Sequence, residues 1–419
     1  MSIPLDRLYH FVESVAQDIF QDRVVIYRFY PHGSKNIENM TPLKEENWQI
    51  TQLIPSLYCN DQEPLDYQYY NTVKRKGAPS VFPTLPHFLK SRTAYKKVLL
   101  LHSERQSVNV ELYQQDQFVP VYWWSHAAIA LDWFRYAQHV RFKKHAKKTF
   151  LVYNRAWSGT REYRLRFAEL LVQLKLQDLC QSSINPIEPE LGIHYNQHEF
   201  KNPAWRPQTV LENYFPINGM PSYYSADFDA DDYNATDIEV VLETLFDDAR
   251  IHLTEKSLRP IALSQPFILA ATAGSLEYLR SYGFKTFGNI WDESYDVVQD
   301  PEQRLYAIAD LMMQITTWEP YIREKKLAEA RAIAEYNREH FFSQDFFNLV
   351  TGELTANLAT ALVDVEFTKN YQAWTDRWDT YLSDPGILER VTNESNLLNV
   401  TLTAINNIKT LINHRLNSE

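Results

Sequence analysis

A chain of 419 residues, 45% of them hydrophobic, is long enough for two domains with separate cores. Its formal charge of −11 excludes a protein that binds nucleic acid over its whole surface, while leaving room for a local basic face. Cys59 and Cys180 are the only cysteines, which excludes a disulfide framework and a cysteine-built zinc site.

No apolar run reaches the ~20 residues of a membrane span, and residues 1–7 lack the basic start and apolar stretch of a signal peptide. The expectation is a soluble, cytoplasmic protein without a membrane span. In chain order, Leu5, Leu8, Phe11, Val12, Val15 and Phe20 recur at helical spacing, and residues 24–27 read as a buried-type strand. A polar, proline-containing stretch follows as far as Pro86. Three strand-then-helix units come next. Residues 97–101 run into His102-Ser103-Glu104, 118–124 into Ser125-His126, and 149–153 into Asn154-Arg155. Apolar strands alternating with helices predict parallel βα units, whose strand C-terminal ends face the ligand crevice. Residues 182–237, rich in Pro, Asn, Tyr and Asp, are expected to form loops over that crevice. Beyond Pro301 the pattern is helical, with helices predicted over 304–318, 321–342 and 396–416.

The segment 239–296 is the most informative. A β-branched strand leads to Leu253-Thr254-Glu255-Lys256, then to the strand 266–269, the helix start Gly274-Ser275-Leu276, and Trp291-Asp292-Glu293-Ser294-Tyr295-Asp296. That order can present a helix N-terminus to a phosphate. Thr254 is placed to cap the helix, with Glu255 and Lys256 in its first turn. Upstream, Asn154 and Arg155 end a strand, and Arg161, Arg164, Arg166 and Phe167 open the helix after it.

The Thr-Glu-Lys element, together with the Arg-x-x-Phe helix start at Arg164, resembles the donor-binding half of α1,3-fucosyltransferase-like and exostosin-like glycosyltransferases. The resemblance covers about residues 149 to 296. It implies an α/β protein of GT-B architecture, two Rossmann-like domains facing a cleft. The implied domains are an acceptor-side domain over 1–147, a nucleotide-sugar donor domain over 148–340, and C-terminal helices over 341–419 that pack back on the first domain. It also implies that Arg164 meets the donor phosphates, with Arg155 and Arg161 close rivals. Glu255 would hold the ribose hydroxyls, and Lys256 the diphosphate. No cofactor is required beyond the nucleoside-diphosphate sugar, taken here as a UDP-sugar, and no metal ligands are assigned. The run Asp227 to Asp232 reads as a solvated acidic loop.

An inverting transfer needs a base for the acceptor hydroxyl. Glu104 is the first choice and Asp61 the second, with Glu63, His126 and Asp132 also at crevice positions. Between Trp133 and Phe150, Arg135, Arg141, Lys143, Lys144, Lys147 and Lys148 form a basic run. Behind it lie Trp124 and His126, and the ensemble suits a phosphate backbone with aromatic stacking. The arrangement also resembles phage-type proteins, which would place the chain in a host cytoplasm. The acceptor it suggests is a hydroxymethylated cytosine in double-stranded phage DNA. The alternatives are a glycan or lipopolysaccharide acceptor, or a sugar-nucleotide-binding protein without catalysis.

Overall fold

The computed structural model describes residues 8–20, 24–28, 41–42, 56–60, 64–67, 84–90, 98–189, 191–215 and 226–366. The chain divides into two compact units, one of residues 1–132 with 344–419, the other of residues 133–343.

The first unit opens with α1 (Leu8–Phe20), whose buried residues Leu8, Val12 and Ala16 recur every fourth position and form one face. The strands β1 (Val25–Arg28), β2 (Thr41–Pro42) and β3 (Ser56–Asn60) follow. After α2 (Leu85–Lys90) come β4 (Val98–His102), α3 (Val108–Gln115), β5 (Phe118–Tyr122) and α4 (Ser125–Trp133). The sheet runs β2-β1-β3-β4-β5. Its β1, β3, β4 and β5 are parallel, and β2 pairs antiparallel at the edge. One face packs Tyr27, Tyr58, Val98, Leu100 and Phe118 against Leu85, Phe88 and Leu89 of α2 and Tyr113 of α3. β3 lies within the stretch read from sequence as a polar connection, and α2 begins at its end. Five residues with only Leu57, Tyr58 and Cys59 apolar carry too short a pattern to stand out, yet all five are buried.

The second unit holds β6 (Lys148–Val152), α5 (Tyr163–Gln173), β7 (Cys180–Ser182) and the two-stranded β8 (Ile187–Glu188) and β9 (Ile193–His194). It continues through α6 (Ala230–Ala235), β10 (Thr236–Leu242), α7 (Glu255–Ala262), β11 (Phe267–Ala270) and α8 (Ser275–Ser281). It closes with α9 (Pro301–Thr316) and α10 (Pro320–Phe341). The sheet is wholly parallel in the order β11-β10-β6-β7. Strand order therefore reverses between β6 and β10, the place where an open parallel sheet leaves a crevice at its strand C-terminal ends. In the first unit the parallel strands β1, β3, β4 and β5 follow chain order without a reversal.

The last described helix, α11 (Gln344–Glu366), belongs to the first unit and packs on β5 and α1. Phe346, Val350, Leu354 and Leu358, spaced by four, are its buried stripe. The helix predicted over 396–416 lies outside the described residues. Among the described residues no helix is long and apolar enough to cross a membrane.

Candidate functional site

The reversal between β6 and β10 brings Tyr153, Asn154 and Arg155 beside Glu243 and Thr244. Arg164, the second residue of α5, spans the two strand ends. Its Nη1 donates to Asn154 Oδ1 at 3.2 Å and Ala156 O at 2.5 Å, and its Nη2 to Leu242 O at 2.6 Å and Glu243 O at 3.0 Å. At 2% exposure it is not offered to a solvent-borne phosphate, and burial lowers its pKa from the ordinary value. In this arrangement Arg164 serves the fold, its guanidinium fork saturating backbone carbonyls where the strand order reverses.

The α7 N-terminus is likewise engaged from within the chain. Thr254 is its cap, as expected, with its hydroxyl accepting from Lys256 N. The place expected for a diphosphate, however, holds Glu243, a carboxylate of the chain itself. Glu243 is fully buried and accepts from Thr254 N at 2.9 Å, Thr254 Oγ1 at 2.8 Å, Ser257 N at 3.2 Å, Ser257 Oγ at 2.6 Å and Thr244 N at 3.0 Å. It satisfies the free amides and the positive dipole end that an external anion would use. Sequence reading missed it because a glutamate closing a strand carries no sign of where its carboxylate turns.

What remains for a ligand at this crest are the side chains around that clasp. Lys256, half-buried, pairs with Glu255 Oε1 at 2.8 Å and with Thr254 Oγ1 at 3.0 Å. Arg155 and Arg161 are half-exposed, and Arg161 Nε donates to Ser158 O at 3.2 Å. Near the strand ends, buried polar atoms without a hydrogen-bond partner include Asn154 Nδ2, Thr272 Oγ1 and Nε of Arg164 on α5. A buried donor left unpaired costs about 1–3 kcal/mol, so each favours a group that completes it.

Other buried carboxylates hold the loops around the crest. Glu188 accepts from Trp157 N at 2.7 Å and Ser158 N at 2.9 Å. Glu162 holds His198 and the amides of Lys201 and Asn202. Asp296, buried near the start of α8, accepts from Leu276 N at 3.1 Å, and burial raises its pKa to about 6. The run Asp227 to Asp232 is in part a helix start rather than a loop, with Asp229 capping α6 and Asp232 accepting from Tyr153 OH at 2.8 Å. Among the described residues no three His, Cys, Asp or Glu side chains are grouped to hold a metal ion.

In the first unit the structure encloses the expected catalytic and stacking residues. Glu104 is buried and accepts from Leu65 N and from Ser107 Oγ, the cap of α3. Both oxygens of Glu104, the first choice as base, thus clasp a loop. Asp61, next in sequence to the end of β3, lies outside the described residues. Trp124 is buried, its amide on Glu353 Oε2 at 3.0 Å and its ring edge-on to Phe346 of α11 at 6.3 Å, so it presents no stacking face to a base. His126 is buried in α4.

The basic run, which the structure places in the second unit, divides in two. Lys144 Nζ donates to Tyr233 O at 2.5 Å, to Thr236 O at 3.0 Å and to Gln265 Oε1, and burial lowers its pKa to about 8. Lys148 donates to Asp178 O. These two brace the start of β10 and the turn before β7. Lys143, Lys147 and Arg141 are exposed. The backbone of the run is fixed to the end of α6 by His145 N on Asn234 O at 2.9 Å and Lys147 N on Ala235 O at 2.8 Å.

No family model matches this chain, and neither a curated protein nor a solved structure matches it.

Proposed function

We propose that the protein is a nucleotide-sugar-dependent glycosyltransferase of GT-B type, with the second unit as its donor domain. The observation that carries this reading is the reversal of strand order between β6 and β10, with Thr254-Glu255-Lys256 and the half-exposed Arg155 and Arg161 on the loops around it. A nucleoside diphosphate bound there would rest its phosphates on Lys256, Arg155 and Arg161, and its ribose hydroxyls on Glu255. Glu243 and Arg164 would set the geometry of those loops without touching the donor. Transfer would displace the diphosphate from the anomeric carbon. The leaving charge would be held by the same cations, and with Glu104 enclosed the base assigned is Asp61. The acceptor proposed is hydroxymethylated duplex DNA, supported by the exposed Arg141, Lys143 and Lys147.

Calorimetry with UDP tests the donor site. Lys256→Ala is expected to weaken binding by about 1.5–3 kcal/mol, the loss of a charge-assisted contact, and unchanged affinity would overturn the assignment. Release of UDP from UDP-sugars on addition of hydroxymethylated DNA or of oligosaccharides separates an enzyme from a binding protein, and one acceptor from the other.

A further inference from the structure

Away from the crest, the second unit has a cleft of about 220 Å³ lined by Asn289, Trp291, Asp292, Gln314, Trp318 and Lys326, among others. Its place in the fold follows from α9. That helix begins beside the C-terminal end of β11, where Arg304 Nε donates to Ala271 O at 3.1 Å. Gln314, ten residues on, lies about 15 Å further along the axis. On the other wall Trp291 stacks on Phe287 at 4.8 Å, and Phe287 meets Phe267, the first residue of β11, edge-on at 5.1 Å. The cleft therefore adjoins the strand's N-terminal end, opposite the donor crest.

We infer that this cleft binds a neutral saccharide unit. Its volume falls below the ~300–1,000 Å³ of drug-sized sites, so it admits about one ring. The lining carries one cation, Lys326, and one carboxylate, Asp292, and so is not tuned to a charged ligand. Lys326 is moreover committed to Ile290 O at 2.6 Å and to the Trp318 ring at 4.4 Å. Asn289, Asp292 and Gln314 are planar, exposed side chains that donate to or accept from pairs of neighbouring hydroxyls. Trp318 adds a half-exposed indole, an apolar face for the C–H side of a pyranose.

The walls are fixed before any ligand arrives. Asp292 holds Ser294 N at 2.8 Å and Ser294 Oγ at 2.9 Å, and Glu293 accepts from Phe287 N at 2.7 Å. Trp291 is buried with Nε1 unpartnered. Just beyond Trp318, the first turn of α10 exposes Tyr321 at 76% and Ile322 at 42%. A second sugar ring of the same chain would rest on these. The inference stands on this cleft alone and does not depend on the donor-site reading.

The test is saturation-transfer NMR and tryptophan fluorescence on the full chain with methyl pyranosides of glucose, galactose, mannose and N-acetylglucosamine, and with their β-linked disaccharides. At least one is expected to bind in the millimolar range, the disaccharide more tightly than its monosaccharide. Trp318→Ala and the exposed-site variant Gln314→Leu are each expected to weaken binding about tenfold or more, with UDP affinity unchanged. Several results would overturn the inference: no pyranoside binding at all, or binding that persists in both variants and so resides elsewhere. A wild-type dimer that Tyr321→Asp converts to monomer would likewise overturn it, by making this face a protein interface. Loss of UDP binding in the wild type would bear on the donor site and leave this result standing.

Discussion

The two sheets are built around central strands of opposite character. In the first unit β4 reads Val98-Leu99-Leu100-Leu101-His102, and its four aliphatic residues are all buried. In the second unit β10 carries Asp237 and Glu239 on one face, and Glu243 follows two residues after Val241 in the same register, all buried. Each carboxylate on that face meets its own partners. Asp237 takes Arg323 at 2.9 Å and Arg331 at 2.8 Å, both from α10. Glu239 takes Arg259 of α7 at 2.6 Å and the hydroxyl of Tyr233. Glu243 takes the α7 N-terminus. An apolar strand accepts any helix of suitable shape, whereas a strand with three buried charges accepts only helices whose partners fall in register. Three carboxylates are thus turned inward, and this ladder fixes where the Thr254-Glu255-Lys256 turn stands.

The largest expected effect breaks the ladder at its centre. Arg259→Ala leaves Glu239 charged and enclosed, and is expected to cost about 3–5 kcal/mol. A same-volume apolar change on β4, Leu100→Met, is expected to cost less than about 1.5 kcal/mol. Urea denaturation of both variants measures the contrast, and similar losses would remove the distinction between the two strands. Next comes Glu243. Glu243→Ala strands two hydroxyls and three amides and is expected to cost about 3 kcal/mol, below the sum of the separate groups because the emptied site admits water. Glu243→Gln keeps an acceptor oxygen and should lose about half as much. Equal losses would show that charge, rather than hydrogen bonding, holds the turn.

Acid is expected to act on the units in opposite directions. His102, buried at the end of β4, has its pKa lowered to about 4 from 6.5 by burial. The unfolded chain therefore protonates first, and His102 removes stability from the first unit as pH falls from about 6.5 to 4. Asp296 is raised by burial to about 6 from 3.8. The folded second unit keeps that proton where the unfolded chain has lost it, so the penalty of the buried charge grows as pH rises from about 4 to 6 and is relieved on acidification. Each swing is about 3 kcal/mol. Hydrogen exchange between pH 6.5 and 4 should show falling protection in β4 and rising protection around β11 and α8. His102→Gln and Asp296→Asn should each flatten one slope. Parallel slopes in the two units would contradict this account.

These features were unequally legible in the residues. The strands β4, β5, β6 and β11 and the helices α9 and α10 declare themselves through apolar runs and helical spacing, because there local pattern and burial agree. The start of β10 at Thr236-Asp237 does not, since a polar pair is buried only where Lys144, Arg323 and Arg331 come from distant positions to meet it. The same reason hid Glu243 and the internal partners of Glu104 and Arg164. A charged side chain looks solvated until its partners are known, and here they are backbone groups and polar side chains that the fold brings near. Strand order, which locates the crest, has no local signature at all.

The smallest expected effect concerns the basic run, and it separates cations that build from cations that bind. Lys144 and Lys148 are tied to backbone carbonyls, so replacing them should lower stability without changing the salt dependence of DNA binding. Lys143 and Lys147 project into solvent and are the side chains available to a phosphate backbone. Each phosphate neutralised contributes roughly 0.9 to the slope of log K against log salt. Lys143→Ala with Lys147→Ala is therefore expected to flatten that slope by about 2, while UDP affinity stays unchanged. Filter binding to hydroxymethylated duplex DNA across a salt series reads both quantities. A slope unaltered in that double variant but reduced by Lys144→Ala would assign the DNA contact to the buried lysine. Because Lys144 Nζ already serves three oxygens, such a contact would require the start of β10 to rearrange on binding.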